Sequence, residues 1–323
     1  MSKQRYNTVY VLGNGFDLSL GLKTRYSDFA NNKDYWPITI TKKEPGIETL
    51  ASFLERARNK DPWWFDIENL LKDYVERGGH RCHASTDKIE IEKDKQTYID
   101  VCQALSKYIR EQCRYNEKMF KQPDDNQVRF VRFVEAMLND SSSLIYDFNY
   151  TDLEGLAARL GIPKINCFHV HGEAKDDAIV LGINSHTKLL EQSYDFLFKP
   201  NSPNFNSPTD IVYDLLSANM VVFYGHSLTE MDYGYFKDFF EQASRFSPDK
   251  EKCKIRIVTR DNSQKIELSR TLNQLDGIHL EDLYKYSDFK FIFTDDNATH
   301  QREFNELTKE IENNSPIYFA GIE

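Results

Sequence analysis

The chain reads as an α/β protein: a Rossmann-like, mostly parallel sheet flanked by helices and interrupted by an all-helical insertion. Three observations predict this. A short apolar run, Val9-Tyr10-Val11-Leu12, stops at Gly13-Asn14-Gly15, and a helix start follows at once. Beyond residue 141, short apolar runs alternate with amphipathic stretches, the texture of a parallel sheet with crossover helices. Between the two, residues 46 to 140 carry three- and four-residue apolar spacing almost throughout. The expected layout is a core of residues 1–45 and 141–323, with 46–140 inserted.

The first element explains itself. A strand ending at Gly-x-Gly leaves backbone N–H groups pointing outward, and glycine has no Cβ to keep a bulky anion away. That is how many α/β sheets hold nucleotide phosphates. The pattern stops short of G-x-G-x-x-G, because Leu18 holds the third position and the next glycine is Gly21. A tight strand-to-helix turn packed inside the fold is the plainer use of the same residues.

The link TKKEPG leads into the insertion. There Leu50, Phe53 and Leu54 mark one helix, and Ile67, Leu70, Leu71 and Tyr74 a second. Asp61-Pro62 predicts the start of the second helix, with proline in its first turn, and Gly78-Gly79 its end. Residues 80–92 are polar and read as a loop; helices follow around 97–120 and 127–138.

The remaining elements alternate. Strands are expected at SLIYDFNY, KINCFHVHG, MVVFYG, KIRIVT and FKFIFTD, with AIVLGI a further apolar run. Helices are expected at DLEGLAARL, TDIVYDLLSA, SLTEMDYGYFKDFFEQAS, SQKIELSRTLNQL and HQREFNELTKEIEN.

Composition bounds the function. The 323 residues are 40% hydrophobic and 28% charged, enough to bury a sizeable core, with a net charge of −10. That charge gives no strong nucleic-acid signal. No apolar run approaches the ~20 residues that span a bilayer, and MSKQRYNTVYV lacks a secretory core. The expectation is a cytoplasmic protein with no membrane partner. The five cysteines are scattered with no C-x-x-C pair, so neither a disulfide framework nor zinc is expected.

Four polar clusters fall where strands end: Gly13-Asn14-Gly15-Phe16-Asp17, Asp147-Phe148-Asn149-Tyr150-Thr151, His169-Val170-His171-Gly172 and Gly225-His226-Ser227-Leu228-Thr229-Glu230-Met231-Asp232. In a parallel sheet such ends share one edge, which makes a common cleft the natural expectation. Asn149 also suits a turn or cap. Strand periodicity puts His169 and His171 on one face, but no further ligand is spaced to complete a metal site, so no metal is expected. His169 reads as structural. His171, beside Gly172 at the tip, suits a general base. Ser227, Thr229 and Glu230 look like a capping box, and Asp232 could merely complement the helix dipole. His226 in G-H-S lacks the nucleophile-elbow frame, which argues against a serine hydrolase. Trp63, Trp64 and Glu68 read as anchors of the insertion rather than a pocket wall.

With these residues in view, GNGFDLSLGLKTRYSDF, the W-x-x-x-E helix around Trp64 and Glu68, FNYTDLE, HVHG and GHSLTEMD resemble the bacteriophage abortive-infection AbiH family. That family is related to the sirtuin-like NAD-binding fold of many antiphage systems. The resemblance covers nearly the whole chain, most securely residues 8–29 and 143–240. Gly13, Gly15 and Gly21 are similar to the three glycines of the sirtuin turn, and Phe148-Asn149-Tyr150-Thr151 and His171-Gly172 to its catalytic asparagine strand end and H-G pair. Gly225-His226-Ser227-Leu228 resembles the later nucleotide segment. The zinc module of sirtuin deacylases has no counterpart, and Asp17 stands where they carry a small residue. Protein deacylation is therefore not expected, whereas nucleotide binding is.

The resemblance implies an antiphage enzyme that hydrolyses NAD at its N-glycosidic bond. Gly13, Asn14, Gly15, Phe16 and Asp17 would line the pyrophosphate, and Gly225, His226, Ser227 and Asp232 the ribose or adenine side. Asn149 would orient the attacking water, and His171 would take a proton from water or a ribose hydroxyl. A nucleotide-binding sensor without turnover, acting with a defence-system partner protein, is the alternative. A nuclease or nucleotidyl-processing enzyme, which needs a carboxylate cluster for metal, ranks last, because the acids are dispersed. The insertion is the candidate regulatory or homo-oligomer-forming surface.

Overall fold

The computed structural model describes residues 6–39, 48–63, 65–77, 88–114, 117–124, 127–189, 192–247, 252–274 and 278–314. Six parallel strands form one sheet: β1 Thr8–Leu12, β2 Ser143–Asp147, β3 Cys167–His169, β4 Met220–Tyr224, β5 Lys254–Thr259 and β6 Asp288–Phe293. Their order is β3-β2-β1-β4-β5-β6, the doubly wound arrangement whose switch point lies between β1 and β4. Register aligns Leu12 with Asp147 and with Tyr224, and Asp147 with His169. The last residues of four strands therefore stand in one row, and the loop after each starts from it.

The central strands are apolar on both faces because helices cover both. Tyr10, Leu12, Met220, Val222 and Tyr224 face α1 (Asn14–Ser19), α7 (Val128–Asn139), α8 (Leu153–Arg159) and α14 (Ala298–Asn314). Val9, Val11, Val221 and Phe223 face α9 (Ile211–Ser217), α11 (Lys237–Ala243), α12 (Asn262–Gln274) and α13 (Leu280–Tyr286). A third core joins α2 (Tyr26–Asn31), α3 (Leu50–Lys60), α4 (Ile67–Glu76) and α5 (Lys88–Gln112) to segments that follow β2 and β3, including Tyr150, Ile179, Leu181 and Leu197. Helices α2 to α5 thus pack over the segments that leave the carboxyl edge of the sheet. Among the described residues, no helix is long and apolar enough to cross a membrane.

Several local expectations change. The helix expected at Asp61-Pro62 starts at Ile67 instead: Asp61 ends α3, and the Asp66 carboxylate caps α4 by accepting the Asn69 N–H at 3.1 Å. Of the loop expected over 80–92, residues 80–87 lie outside the described residues and 88–92 belong to α5, which ends at Gln112, with α6 (Glu117–Lys121) after it. Gly78-Gly79 and Trp64 lie outside the described residues. The helix α7, within the stretch expected to be inserted, packs on the sheet, as the crossover between parallel β1 and β2 requires. Helix 227–244 is split into α10 (Glu230–Tyr233) and α11. The run 178–183 is buried but irregular; its apolarity serves the third core and not a strand.

Candidate active site

The strand ladder continues one residue into each loop. Gly13 N–H donates to Tyr224 O at 3.0 Å, Phe148 N–H to Leu12 O at 2.9 Å and Val170 N–H to Asp147 O at 2.8 Å. Two glycine loops then pack directly on each other. A Cβ on Gly13 would lie 2.5 Å from the His226 Cα, and one on Gly15 2.6 Å from the Gly225 Cα. Gly225 itself sits at φ +63°, where a side chain is strained. Gly15 N–H donates to Gly225 O at 3.0 Å and Phe16 N–H to Gly13 O at 2.8 Å. The amides of Gly13, Gly15 and Phe16, expected to cradle a pyrophosphate, are therefore engaged by carbonyls. The plainer use of the glycines, close backbone packing, operates here. Gly21, at φ +79° with open space around it, follows the end of α1.

Above this junction lies a cleft of about 300 Å³, at the lower bound for small-molecule sites. Gly13, Asn14, Asn149, His171, Gly225, His226, Ser227 and Asp232 all line it. Three expected residues do not. Gly15 is packed on Gly225, Phe16 sits in the core against Phe130 and Tyr224, and Asp17 is buried beneath the turn, accepting from the Thr151 hydroxyl at 3.1 Å. Burial, and next to it the charge of Asp147, pushes the Asp17 carboxyl well above the usual carboxylate range.

Asn149 is held at both ends: its N–H donates to Asp147 Oδ1 at 2.9 Å and its side-chain amide to Gly13 O at 3.3 Å. The helix cap is Asp152, not Asn149, so the asparagine is left to the cleft. His171 Nε2 lies 3.0 Å from Asp232 Oδ1, while its Nδ1 is buried without a hydrogen-bond partner. An aspartate that accepts Nε2–H fixes the tautomer and leaves Nδ1 as the basic nitrogen. The same Asp232 oxygen is 3.3 Å from Lys199 Nζ, and Lys199 is 3.1 Å from Glu68 Oε1. Burial opposes the charge on Asp232, but Lys199 and then His171 outweigh it and hold the carboxyl well below its usual range. Glu68 is pushed up by burial, with Lys199 offsetting part of the rise. Lys199 is disfavoured by burial yet raised overall by Asp232 and Glu68.

His226 plays a different part. Its Nδ1 accepts the Leu228 N–H at 3.0 Å, bracing Leu228 at φ +52°, a region costly for a branched side chain. Burial lowers its pKa to about 4, so the ring is neutral, with Nε2 3.9 Å from Asp232 Oδ2. The capping box expected from Ser227 and Glu230 is not formed. Thr229 is the N-cap residue of α10 without a side-chain bond, and Glu230 instead pairs with Lys72 at 2.7 Å.

The two histidines of HVH part company, because β3 ends at His169. That ring is 2.8 Å from Glu154 and 3.4 Å from Glu173, remote in role from the cleft. Folding does collect metal-type groups around it, Asp147 with Cys167 and Glu154 with Glu173, which spacing along the chain did not reveal. Lys175, 2.7 Å from Glu173 and 3.7 Å from Glu154, already offsets one of the two charges of the latter pair.

Two residues of the site were not expected there. Glu68, read as an anchor, is a cleft wall, whereas Trp63, read with it, is 82% exposed. Lys199 carries no sequence motif; only the fold brings it to the carboxylates. Tyr26 and Tyr150, whose hydroxyls lie 3.2 Å apart, complete the same wall.

A doubly wound parallel sheet with a polar cleft at its switch point defines a Rossmann-type α/β protein. Residues 9–248 match the family model for bacteriophage abortive infection AbiH, and the chain belongs to that family. No curated protein sequence matches it significantly. Among solved structures it is similar to a mutant Sir2 homologue in complex with 2'-O-acetyl ADP ribose. The identity is 14% and the TM-score 0.35, over 97% of this chain and 94% of that one.

Proposed function

We propose that this protein is an antiphage effector that binds NAD and hydrolyses the ribosyl–nicotinamide bond. The observation that carries the reading is the shared cleft. Asn149 and His171, separated by 22 residues in the chain, stand in one wall system at the switch point of the sheet. NAD lies with its nicotinamide ribose toward these two groups. Asn149 positions the water, its amide steadied on Gly13 O. His171 takes the proton from water, or from a ribose hydroxyl, at Nδ1.

Charge favours the same step. With His226 neutral, the charges of Glu68, Lys199 and Asp232 sum to one net negative charge in a buried setting. An oxocarbenium-like state develops positive charge beside it, and a fixed charge in a low-dielectric site stabilises such a state without reorganisation. Proton uptake by His171 then neutralises the cluster. Phosphate recognition falls to Asn14 and the Gly225–Ser227 loop, since the amides of Gly13, Gly15 and Phe16 are engaged.

The second reading, a nucleotide-binding sensor without turnover that acts through a partner, is motivated by Asp17, a carboxyl buried beneath the first turn. One experiment separates the two: incubation with NAD, with and without lysate of infected cells, following free nicotinamide. Release that depends on His171 supports hydrolysis; binding of NAD without release under both conditions supports the sensor.

A further inference from the structure

We infer that the helical insertion supplies part of the catalytic apparatus: Glu68 of α4 and Lys199 are positioning residues that apportion the charge of Asp232 and so govern proton traffic at His171. The inference rests on the proposed role of His171 as base, and it deepens that reading by giving Glu68 and Lys199 a task at the imidazole.

Geometry leads to it. One oxygen, Asp232 Oδ1, is shared by His171 Nε2 at 3.0 Å and Lys199 Nζ at 3.3 Å. Lys199 in turn reaches both Glu68 oxygens, at 3.1 and 3.2 Å. The three charged side chains come from three separate places: the insertion, the 3-10 turn Lys199–Asn201 and α10. Lys199 is 3% exposed and Glu68 9%. A buried ion cluster carries a large desolvation cost and is weak evidence for stability. Here its members adjoin a proposed base, where their charge has a use. Glu68 also accepts the Gly182 N–H at 3.4 Å, which ties α4 to the segment between His171 and Lys199.

The surroundings leave few rivals for control of the imidazole. His226 is neutral, its pKa held at about 4 by burial. Tyr26 and Tyr150 keep their protons because burial pushes both well above the ordinary phenol range, and Tyr235 is raised to about 12 by burial as well. Asp66, the cap of α4, lines the same cleft and is untouched by substitution of Lys199 or Glu68. The charges that reach His171 through the shared Asp232 oxygen are those of Lys199 and Glu68.

Two substitutions must therefore act in opposite directions. Lys199→Met removes a cation, so His171 holds its proton to higher pH. Glu68→Gln removes an anion and does the reverse. A unit charge at ~6 Å in an effective dielectric of about 20 is worth roughly two pH units, so shifts on the order of one unit are expected.

The test is an NMR titration of the imidazole resonances in the full chain, which has eight histidines, with His171 assigned by its loss in His171→Gln. Expected is an upward midpoint for Lys199→Met and a downward one for Glu68→Gln. Lys72→Met, which removes a cation from the same helix at an exposed pair, should leave the midpoint unmoved. If Lys199→Met does not fold, Glu68→Gln still decides the matter, alone and in the double variant, where the midpoint should rise. Unmoved midpoints, shifts of one sign, or an equal shift in Lys72→Met overturn the inference. This readout needs no turnover. Nicotinamide release measured on His171→Ala tests the base assignment separately, and release undiminished there overturns that reading alone.

Discussion

Substituting Gly15 by alanine decides what the glycine turn is for. An alanine Cβ there would stand 2.6 Å from Gly225 Cα, 3.0 Å from its carbonyl oxygen and 3.2 Å from its carbonyl carbon. All three neighbours are backbone, so no side chain can swing away and the two loops must separate. Separation also stretches the 3.0 Å bond from Gly15 N–H to Gly225 O. Overpacking costs about 1–3 kcal/mol and a lost hydrogen bond about 0.5–1.5 kcal/mol, so the expected loss is about 2–4 kcal/mol. Urea unfolding followed by tryptophan fluorescence reads it: with an m-value of about 3 kcal/mol/M the midpoint falls by roughly 1 M. Gly21→Ala is the comparison. Its site has open space and φ +79°, so only backbone strain of about 1–2 kcal/mol applies. If Gly15→Ala unfolds like the unsubstituted protein yet loses NAD binding, the glycine serves the ligand and the packing argument is wrong.

Three further outcomes follow from the site and its surroundings. His171→Ala and Asn149→Ala should each lower nicotinamide release about 10²–10⁴-fold with the circular dichroism unchanged, and release at the unsubstituted rate in both removes the assignment. Burial pushes the Asp147 carboxyl up to about 7, with His169 opposing. Its folded pKa thus exceeds the unfolded value of about 3.9, the native state binds the extra proton, and this contribution is lost as pH rises from about 4 to 7. Asp147→Asn should flatten the decline in stability between pH 5 and pH 8 by up to about 3 kcal/mol, read from urea midpoints; identical slopes in both proteins count against it. Trp63→Ala should change stability by no more than about 0.5 kcal/mol despite the size of the side chain, since it is 82% exposed, and a larger loss in the same assay contradicts its placement.

Much of the architecture was legible along the chain. Strands buried on both faces must be continuously apolar, so Val9–Leu12 and MVVFY announced themselves, and the alternation after residue 141 required parallel pairing. The four strand-end clusters were legible for the same reason: in a parallel sheet every strand ends on one edge. Asn149 and His171 therefore reached one cleft as expected. Helix starts were less legible. Asp61-Pro62 carried the stronger local signal, but Asp66 took the cap because the apolar face that α4 buries begins at Ile67.

The sequence by itself thus determined the sheet, its carboxyl edge and the polar groups along it, because short-range periodicity encodes all of these. Tertiary structure alone decided partnership. It turned the glycines of the first turn toward Gly225, sent His169 and His171 to different carboxylates, and set Glu68 and Lys199 against Asp232. Pairings across 131 and 33 residues depend on where separate segments pack, and charge couples through space over distances to which chain order is blind.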